Sequence, residues 1–257
     1  MSAAPQLSPT DPIAVFLDFD GTLVHIVERP DLVQIPASLP TVLRDTYTAL
    51  DGALALVTGR SITSLDALLE PLQLPTAGVH GIEYRDSSGG IQSVSAPPLP
   101  DWARTELVAL AASNPGLLLE DKGHGIALHY RQAPDHEARV REGITNIFAK
   151  LGTDFAIQEG KMVVEIRPAC ATKGTAVERF MDNPPFAGRQ PVFVGDDITD
   201  EDAFRVVNEL GGYSIKVGHR QSGSAARYEL ADVEAVREWL LLLPLAQANS
   251  EQTIRSS

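Results

Sequence analysis

Two aspartates, Asp18 and Asp20, stand one residue apart in the stretch VFLDFDGTLV, directly after an apolar run. Buried carboxylates that lie close together lose hydration and repel each other, so such a pair needs a divalent cation between its members or a proton on one of them. Gly21 allows a tight backbone turn after the pair, and Thr22 offers a hydroxyl and an amide to an anion. The alternative interpretation is that this stretch is only a capped turn.

The stretch GDDITD adds further acids of the same chemical type. Asp196 and Asp197 supply carboxylates, and no histidine or cysteine stands near them. An acidic ligand set made only of oxygen atoms is typical of a hard cation, and Mg²⁺ that keeps several water ligands fits it best. The sequence therefore predicts a magnesium site.

Two other stretches offer groups that bind phosphate oxygens. Thr58, with Gly59, precedes a predicted helix and supplies a hydroxyl and backbone N–H groups. Lys173, in the stretch TKG, stands at the start of another predicted helix, where the helix dipole favours an anion. A single lysine in such a place is more often a solvated surface charge, and it is the combination of these clusters that favours a phosphate site.

All of these groups are positioned by predicted strands and helices that alternate along the chain. Ile13–Leu17, residues 53–57 and residues 191–194 are continuous apolar runs, the pattern of strands that are covered on both faces. Helical spacing of apolar residues follows, for example over residues 39–50 and 61–72. This alternation predicts a doubly wound, Rossmann-like parallel α/β sheet, in which ligands lie beyond the carboxyl ends of the strands. The polar clusters can therefore converge on one crevice.

The segment between Thr58 and Lys173 is too long for one crossover in such a sheet and predicts an inserted unit. Its pattern gives a helix, two strands, a second helix and two more strands, which indicates a small antiparallel sheet with two helices on one face. We place this α+β insert at residues 97–168. The core then comprises residues 12–96 and 169–245.

Composition narrows the class of protein. The 257 residues carry a formal net charge of −13, which argues against binding to nucleic acid or to an anionic membrane. The single cysteine, Cys170, allows no internal disulfide and no cysteine-based metal site. The sequence shows neither a membrane-spanning run nor a signal-peptide pattern, so we expect a cytoplasmic protein, and we expect a monomer.

Four motifs occur in a set order: Asp-x-Asp-Gly-Thr, Thr-Gly-Arg, Lys-Gly and Gly-Asp-Asp-x-x-Asp. In this order they resemble the haloacid dehalogenase superfamily of phosphotransferases. The resemblance implies that Asp18 is a nucleophile that forms an aspartyl-phosphate. It implies that Asp20 protonates the leaving oxygen and then deprotonates water, while Thr58 and Lys173 hold the phosphoryl oxygens.

The same resemblance implies a set of metal ligands and a role for the insert. Mg²⁺ would be held by Asp18, the backbone carbonyl of Asp20 and Asp196. Asp197 or Asp200 would lie behind these ligands and orient them. An insert at this place in the superfamily is a cap that covers the site and selects the substrate.

Four stretches, GVHGIEY, EDKGHGIALHYR, GKMVVEIRP and GDDITDEDAF, are similar to the trehalose-6-phosphate phosphatases within this superfamily. This resemblance implies hydrolysis of trehalose 6-phosphate, a small phosphorylated disaccharide, to trehalose and phosphate. Charged side chains on the insert would suit the many hydroxyls of such a substrate, although ion pairing on a solvated sheet is the alternative. The substrate-binding residues that we expect are Gly21, Gly59, Arg60, His80, Gly81, Glu120, Lys122, Lys161 and Glu165.

Other functions share parts of this pattern. A sucrose-phosphate or mannosyl-phosphate type of capped phosphatase, or a phosphomannomutase, would have the same core. A receiver-like phosphorylation switch also combines acids, a threonine and a lysine on such a sheet, but a long-lived phosphoaspartate would not tolerate a base such as Asp20 beside it. A binding module without activity is disfavoured by the intact motifs, and no role is assigned to His124, His129 or Arg131.

Overall fold

The computed structural model describes residues 2–5, 7, 12–160, 162–219 and 223–254. The chain forms two compact units. The first comprises Met1–Ser93, Lys173–Asp196 and Asp200–Ser257, and the second comprises Val94–Thr172 and Asp197–Thr199. Residues 97–168, the predicted insert, all fall in the second unit.

Within the described residues, the chain folds into strands and helices that alternate as the apolar runs predict. The strands are β1 (Ser2–Ala3), β2 (Ile13–Leu17), β3 (Leu54–Val57), β4 (Thr76–Gly78), β5 (Glu83–Arg85), β6 (Ile91–Ser93), β7 (Leu118–Asp121), β8 (Ile126–His129), β9 (Phe155–Gly160), β10 (Val163–Pro168), β11 (Gln190–Gly195), β12 (Tyr213–Val217) and β13 (Tyr228–Leu230). The helices are α1 (Leu39–Ala49), α2 (Ile62–Leu69), α3 (Asp101–Ala112), α4 (Glu137–Phe148), α5 (Lys173–Met181), α6 (Glu201–Glu209) and α7 (Val233–Ile254).

The first unit is built on one mixed sheet with β2 near its centre. The strand order is β1-β13-β12-β11-β2-β3-β4-β5-β6. Pairing is parallel from β1 to β4, and β5 and β6 add an antiparallel edge. All five residues of β2 are buried, as expected for a strand in the middle of a covered parallel sheet.

Aromatic packing supports β2 from one side. The ring of Phe16 stacks on that of Phe186 at a centroid distance of 5.5 Å and lies 5.8 Å from that of Phe180. Such a close-packed cluster resists displacement of the strand. The residues that follow β2 therefore start from a rigid base.

The second unit contains a four-stranded antiparallel sheet in the order β7-β8-β10-β9. Apolar residues of α3 and α4, among them Leu107 and Ile144, pack with Ile126, Leu128 and Ile166 of the sheet to form a separate core. The predicted class, an α/β protein with a parallel-sheet core and an additional α+β unit, is confirmed.

Some elements differ from the sequence prediction. The short strands β1, β4 and β13 have no counterpart among the predicted strands, and α7 continues to Ile254, beyond the predicted core boundary at residue 245. Among the described residues, no helix combines the length and the apolar character that crossing a bilayer requires.

Candidate active site

The carboxyl ends of three adjacent parallel strands gather the predicted residues of the first unit. Asp18 follows β2, Asp196 follows β11 and Thr58 follows β3. The backbone N–H of Asp18 donates to the carbonyl of Val194 at 2.9 Å, and that of Thr58 donates to the carbonyl of Ala77 at 2.9 Å. The hydrogen-bond ladder thus extends one residue beyond each strand and fixes the backbone of both site residues.

Three carboxylates form an acidic triad at this edge of the sheet. One oxygen atom from each of Asp18, Asp196 and Asp200 lies within 4.8 Å of the others. Asp18 is 4% exposed and Asp200 is fully buried. A compact set of carboxylate oxygens without nitrogen or sulfur donors fits a hard divalent cation such as Mg²⁺.

Two glycines make room for these carboxylates. A Cβ atom added to Gly21 would lie 2.2 Å from Oδ2 of Asp196, and one added to Gly195 would lie 2.3 Å from Cγ of Asp200. Gly21 also has a φ of +86°, in the left-handed region that favours glycine. The backbone is therefore shaped around the triad, and the residues present fit a metal site.

Lys173, the first residue of α5, places an ammonium group against the triad. Its Nζ lies 2.7 Å from Oδ1 of Asp18 and 2.7 Å from Oδ1 of Asp200. Burial opposes the charge of this lysine, but the two carboxylates outweigh burial and raise its pKa. Lys173 therefore keeps its positive charge and holds its ammonium group against two carboxylates of the triad.

The surroundings of Asp18 disfavour the ionised form of its carboxyl group. Burial raises the pKa of its carboxyl, the neighbouring charges of Asp200 and Asp196 raise it further, and Lys173 lowers it only in part, so that it stands well above the ordinary value. A divalent cation among the carboxylates would offset this repulsion.

Asp20 lies outside the triad, because its carboxylate is held by Arg60. Nε of Arg60 donates to Oδ2 of Asp20 at 2.6 Å and Nη2 donates to Oδ1 at 2.7 Å. The guanidinium also lies over the ring of Phe19. This bidentate pairing gives the Asp20 carboxylate one orientation, and the carboxylate of Asp200 takes part in the triad instead.

A strained turn packs against the Thr-Gly-Arg loop, in which half-buried Gly59 follows Thr58. Val79, His80 and Gly81 have φ values of 47°, 55° and 104°, and all three are buried. The N–H of His80 donates to the carbonyl of Thr58 at 3.0 Å, and the N–H of Val79 donates to that of Arg60 at 2.9 Å. Left-handed backbone at buried non-glycine residues is costly and occurs mostly at functional sites. The turn positions the loop that carries three of the predicted residues, Thr58, Gly59 and Arg60.

The second unit brings its predicted residues together on one face of its sheet. Glu120 and Glu165 both pair in register with Ala127 and so form one row across β7, β8 and β10. Nζ of Lys122 lies 2.8 Å from Oε2 of Glu165, and Nε2 of His129 lies 2.9 Å from Oε2 of Glu120. The side chains of Lys122 and Glu165 are 11% and 5% exposed, so their pair is buried and not a solvated surface contact.

The surroundings of Glu120 favour the ionised form of its carboxyl group. Burial opposes its charge, but His129 and Lys122 outweigh burial and lower the pKa of its carboxyl. Lys161, which was predicted beside these residues, lies outside the described residues. Asp197 belongs to a turn of its own, where its Oδ1 accepts the N–H of Ile198 at 2.8 Å.

Comparison with known proteins decides the family. A family model described as trehalose-phosphatase matches residues 16–234, which is most of the chain. The chain belongs to the trehalose-phosphatase family. The family resemblance stated from the motifs is thereby confirmed, and so is the class of enzyme, a phosphoric monoester hydrolase.

Two relatives match over nearly their whole length. A Sinorhizobium fredii protein described as a probable trehalose-phosphate phosphatase is 47% identical over 232 residues, which cover 90% of this chain and 88% of the relative. The trehalose-6-phosphate phosphatase of Escherichia coli is 43% identical over 260 residues, which cover 100% of this chain and 95% of that enzyme. The solved C-terminal domain of the C. albicans trehalose-6-phosphate phosphatase has a TM-score of 0.82 at 22% identity, covering 90% of this chain and 92% of that one, and shows the same fold.

One buried residue near the triad that sequence reasoning missed is Lys216. It lies in β12, is 4% exposed, and its Nζ donates to the backbone carbonyl of Asp196. The signal was present, because a lysine inside the predicted strand YSIKV is unusual for a buried strand. No motif used in the prediction includes this position.

Proposed function

We propose that this protein hydrolyses trehalose 6-phosphate to trehalose and phosphate through an aspartyl-phosphate at Asp18. The observation that carries the proposal is the placement of Asp18 at a strand end, between the ammonium of Lys173 and the carboxylates of Asp196 and Asp200. This is an arrangement in which a carboxylate can meet a phosphoryl group that is neutralised from several sides. The relatives named above support the choice of substrate.

The first step forms the covalent intermediate. A carboxylate oxygen of Asp18 attacks phosphorus, the bond from phosphorus to the sugar oxygen breaks, and Asp20 gives a proton to that oxygen as trehalose leaves. Arg60 engages both oxygens of the Asp20 carboxylate in the structure, so Asp20 takes up a proton and releases one of these bonds before it acts as the acid. The hydroxyl of Thr58 and the ammonium of Lys173 bind phosphoryl oxygens.

The second step releases phosphate. Asp20, now ionised, takes a proton from a water molecule, whose oxygen attacks phosphorus and breaks its bond to Asp18. Asp18, Asp196 and the carbonyl of Asp20 would hold Mg²⁺, with Asp200 beside them. The bound metal would supply charge stabilisation to the phosphoryl oxygens. Each residue ends the cycle in the protonation state in which it began.

The second unit supplies the specificity in this proposal. Glu120, Lys122 and Glu165 offer both donors and acceptors on one face of a sheet, which suits the hydroxyls of a disaccharide. Lys161, from the same predicted strand as Glu165, is proposed to add a donor. The unit thereby acts as the cap that selects the substrate.

A panel of phosphorylated sugars tests the proposal. Phosphate release with Mg²⁺ is measured for trehalose 6-phosphate, sucrose 6-phosphate, a mannosyl phosphate and glucose 6-phosphate. We expect kcat/KM to be highest for trehalose 6-phosphate. A higher value for the sucrose or mannosyl compound would assign that capped phosphatase activity instead, and equal values for all four sugars would contradict a specific cap.

A further inference from the structure

Lys216 presents a buried cation whose acceptor is a neutral group. The residue pairs in register with Gly195, so it lies beside the strand that leads into the acidic triad. Its Nζ donates to the backbone carbonyl of Asp196. Among the residues that the structure describes, no carboxylate forms an ion pair with it.

Fold stability alone explains this lysine poorly. Burying an ammonium without a counter-ion costs free energy, and an apolar side chain of similar length would fill the same space without that cost. What the lysine adds is a strong, charge-assisted hydrogen bond to one particular carbonyl. That carbonyl belongs to a member of the triad.

The position of the Asp196 carboxylate tolerates little movement. It packs so closely on the backbone that a Cβ added to Gly21 would lie 2.2 Å from its Oδ2. A small displacement of the Asp196 backbone would therefore push this carboxylate into Gly21 or move it away from Asp18. Whatever holds the carbonyl of Asp196 also holds its carboxylate in place.

We propose that Lys216 is a positioning residue for the metal site, which acts by holding the backbone carbonyl of Asp196. The inference rests on the proposed function in one respect, namely that the triad binds Mg²⁺. It assigns Lys216 no contact with substrate. Its effect reaches the metal through the orientation of Asp196.

Replacing Lys216 should change the affinity for Mg²⁺, and the direction of that change distinguishes a positioning role from a purely electrostatic one. Removing an ammonium near a cation site removes repulsion, so a lysine that acted through its charge alone would give tighter Mg²⁺ binding when replaced. A lysine that positions a ligand gives weaker binding when replaced, by about 10- to 100-fold for a partner behind a metal ligand. The two roles predict opposite signs.

Calorimetric titration of the full-length protein with Mg²⁺ alone tests the proposal. The variants are Lys216→Met, which removes the donor, and Lys216→Gln, which keeps a shorter neutral donor. Lys150→Met is the matched control, because Lys150 is exposed and pairs with Glu106 in the second unit. Circular dichroism verifies that each variant is folded.

We expect the Kd for Mg²⁺ to rise at least 10-fold in Lys216→Met, to rise less in Lys216→Gln, and to stay at the wild-type value in Lys150→Met. Should Lys216→Met fail to fold, a weaker Mg²⁺ affinity of Lys216→Gln decides the question. Unchanged or tighter binding in a folded Lys216 variant, with normal binding in the wild type, overturns the inference alone. A wild-type protein that does not bind Mg²⁺ would contradict the metal in the proposed function, and the inference with it.

Discussion

Asp18 is the residue to which the proposed function assigns the first chemical step. It is buried, it contacts the ammonium of Lys173, and its carboxyl group has a raised pKa because of burial and of its acidic neighbours. A group in such an environment gains reactivity from the same features that make it unfavourable for folding.

Replacement of Asp18 by asparagine tests its role. We expect Asp18→Asn to lower kcat for trehalose 6-phosphate by more than about 1,000-fold, because an amide is not a competent nucleophile. The fold should survive, since Lys173 keeps Asp200 as a partner. Phosphate release measures the activity and circular dichroism the fold, and a folded variant with near wild-type turnover would exclude the covalent mechanism.

At the level of elements, the turn after β2 brings the backbone of Gly21 close to the Asp196 carboxylate. Gly21 and Gly89 provide a matched pair, because both have left-handed backbone, with φ of +86° and +91°, but only Gly21 has a carboxylate where a Cβ would stand. Around Gly89 nothing lies within 4 Å of an added Cβ. The comparison separates backbone strain from displacement of Asp196.

We expect Gly21→Ala and Gly89→Ala to share a backbone cost of about 1–2 kcal/mol in the free energy of unfolding. Only Gly21→Ala should also lower kcat/KM and weaken Mg²⁺ binding, by about 10-fold or more, because it displaces a metal ligand. Thermal melting, steady-state kinetics and calorimetry measure the three quantities. Similar kinetics for the two variants would show that the close approach of Gly21 to Asp196 is unimportant.

The proposed role of the second unit in substrate recognition is tested at the buried pair of Lys122 and Glu165. Lys122→Ala should lower kcat/KM for trehalose 6-phosphate by about 10- to 1,000-fold, and hydrolysis of a small aryl phosphate far less, because only the sugar needs these groups. It should also lower the free energy of unfolding by about 1–3 kcal/mol, because the buried Glu165 carboxylate loses the ammonium that lies 2.8 Å from its Oε2.

A double variant, Lys122→Met with Glu165→Gln, separates the two effects. It removes both charges, so we expect melting to recover toward the wild type while the loss on trehalose 6-phosphate persists. Recovery of both properties would make the pair structural, and an equal loss on both substrates would place it in the chemistry or in folding.

At the scale of the whole molecule, the proposed metal site would link cation binding to the stability of the fold. The pKa of Asp18 in the folded state lies above its unfolded value, so this carboxyl group opposes folding, and the penalty declines as the pH falls through the folded-state pKa and vanishes below the unfolded value. A cation that binds only the folded protein reverses the effect. Mg²⁺ at 100 times its Kd should add about 2.7 kcal/mol of stability.

We therefore expect Mg²⁺ at that concentration to raise Tm by about 5 to 10 °C at pH 7. EDTA should reverse the shift, and Asp18→Asn should show a smaller one because it has lost a ligand charge. Differential scanning calorimetry of the wild type and of this variant provides the measurement. A Tm that does not respond to Mg²⁺ would argue against a metal at the triad.

Local pattern was sufficient for much of the fold and for the placement of the motifs. The continuous apolar run Ile13–Leu17 became a central buried strand, and the helix predicted over residues 61–72 forms as α2, capped by Ser61, whose Oγ accepts the N–H of Ser64 at 3.2 Å. Strand ends of a parallel sheet share one edge, so a motif at the end of each predicted strand already placed Asp18 and Asp196 together. The strand β4, with the sequence TAG, carries no such pattern and depends on its neighbours in the sheet.

The partners of each charged group were decided by the tertiary structure alone. The sequence by itself determined the family, the class of chemistry and the order of the motifs, because these depend on residue types and on short spacings. It did not show that Asp20 pairs with Arg60 while Asp200 joins the triad, that Lys122 reaches Glu165, or that Lys216 holds the carbonyl of Asp196. Contacts of this kind join residues that are distant in the chain, and they depend on strand register and side-chain rotamers, which packing sets and local sequence does not encode.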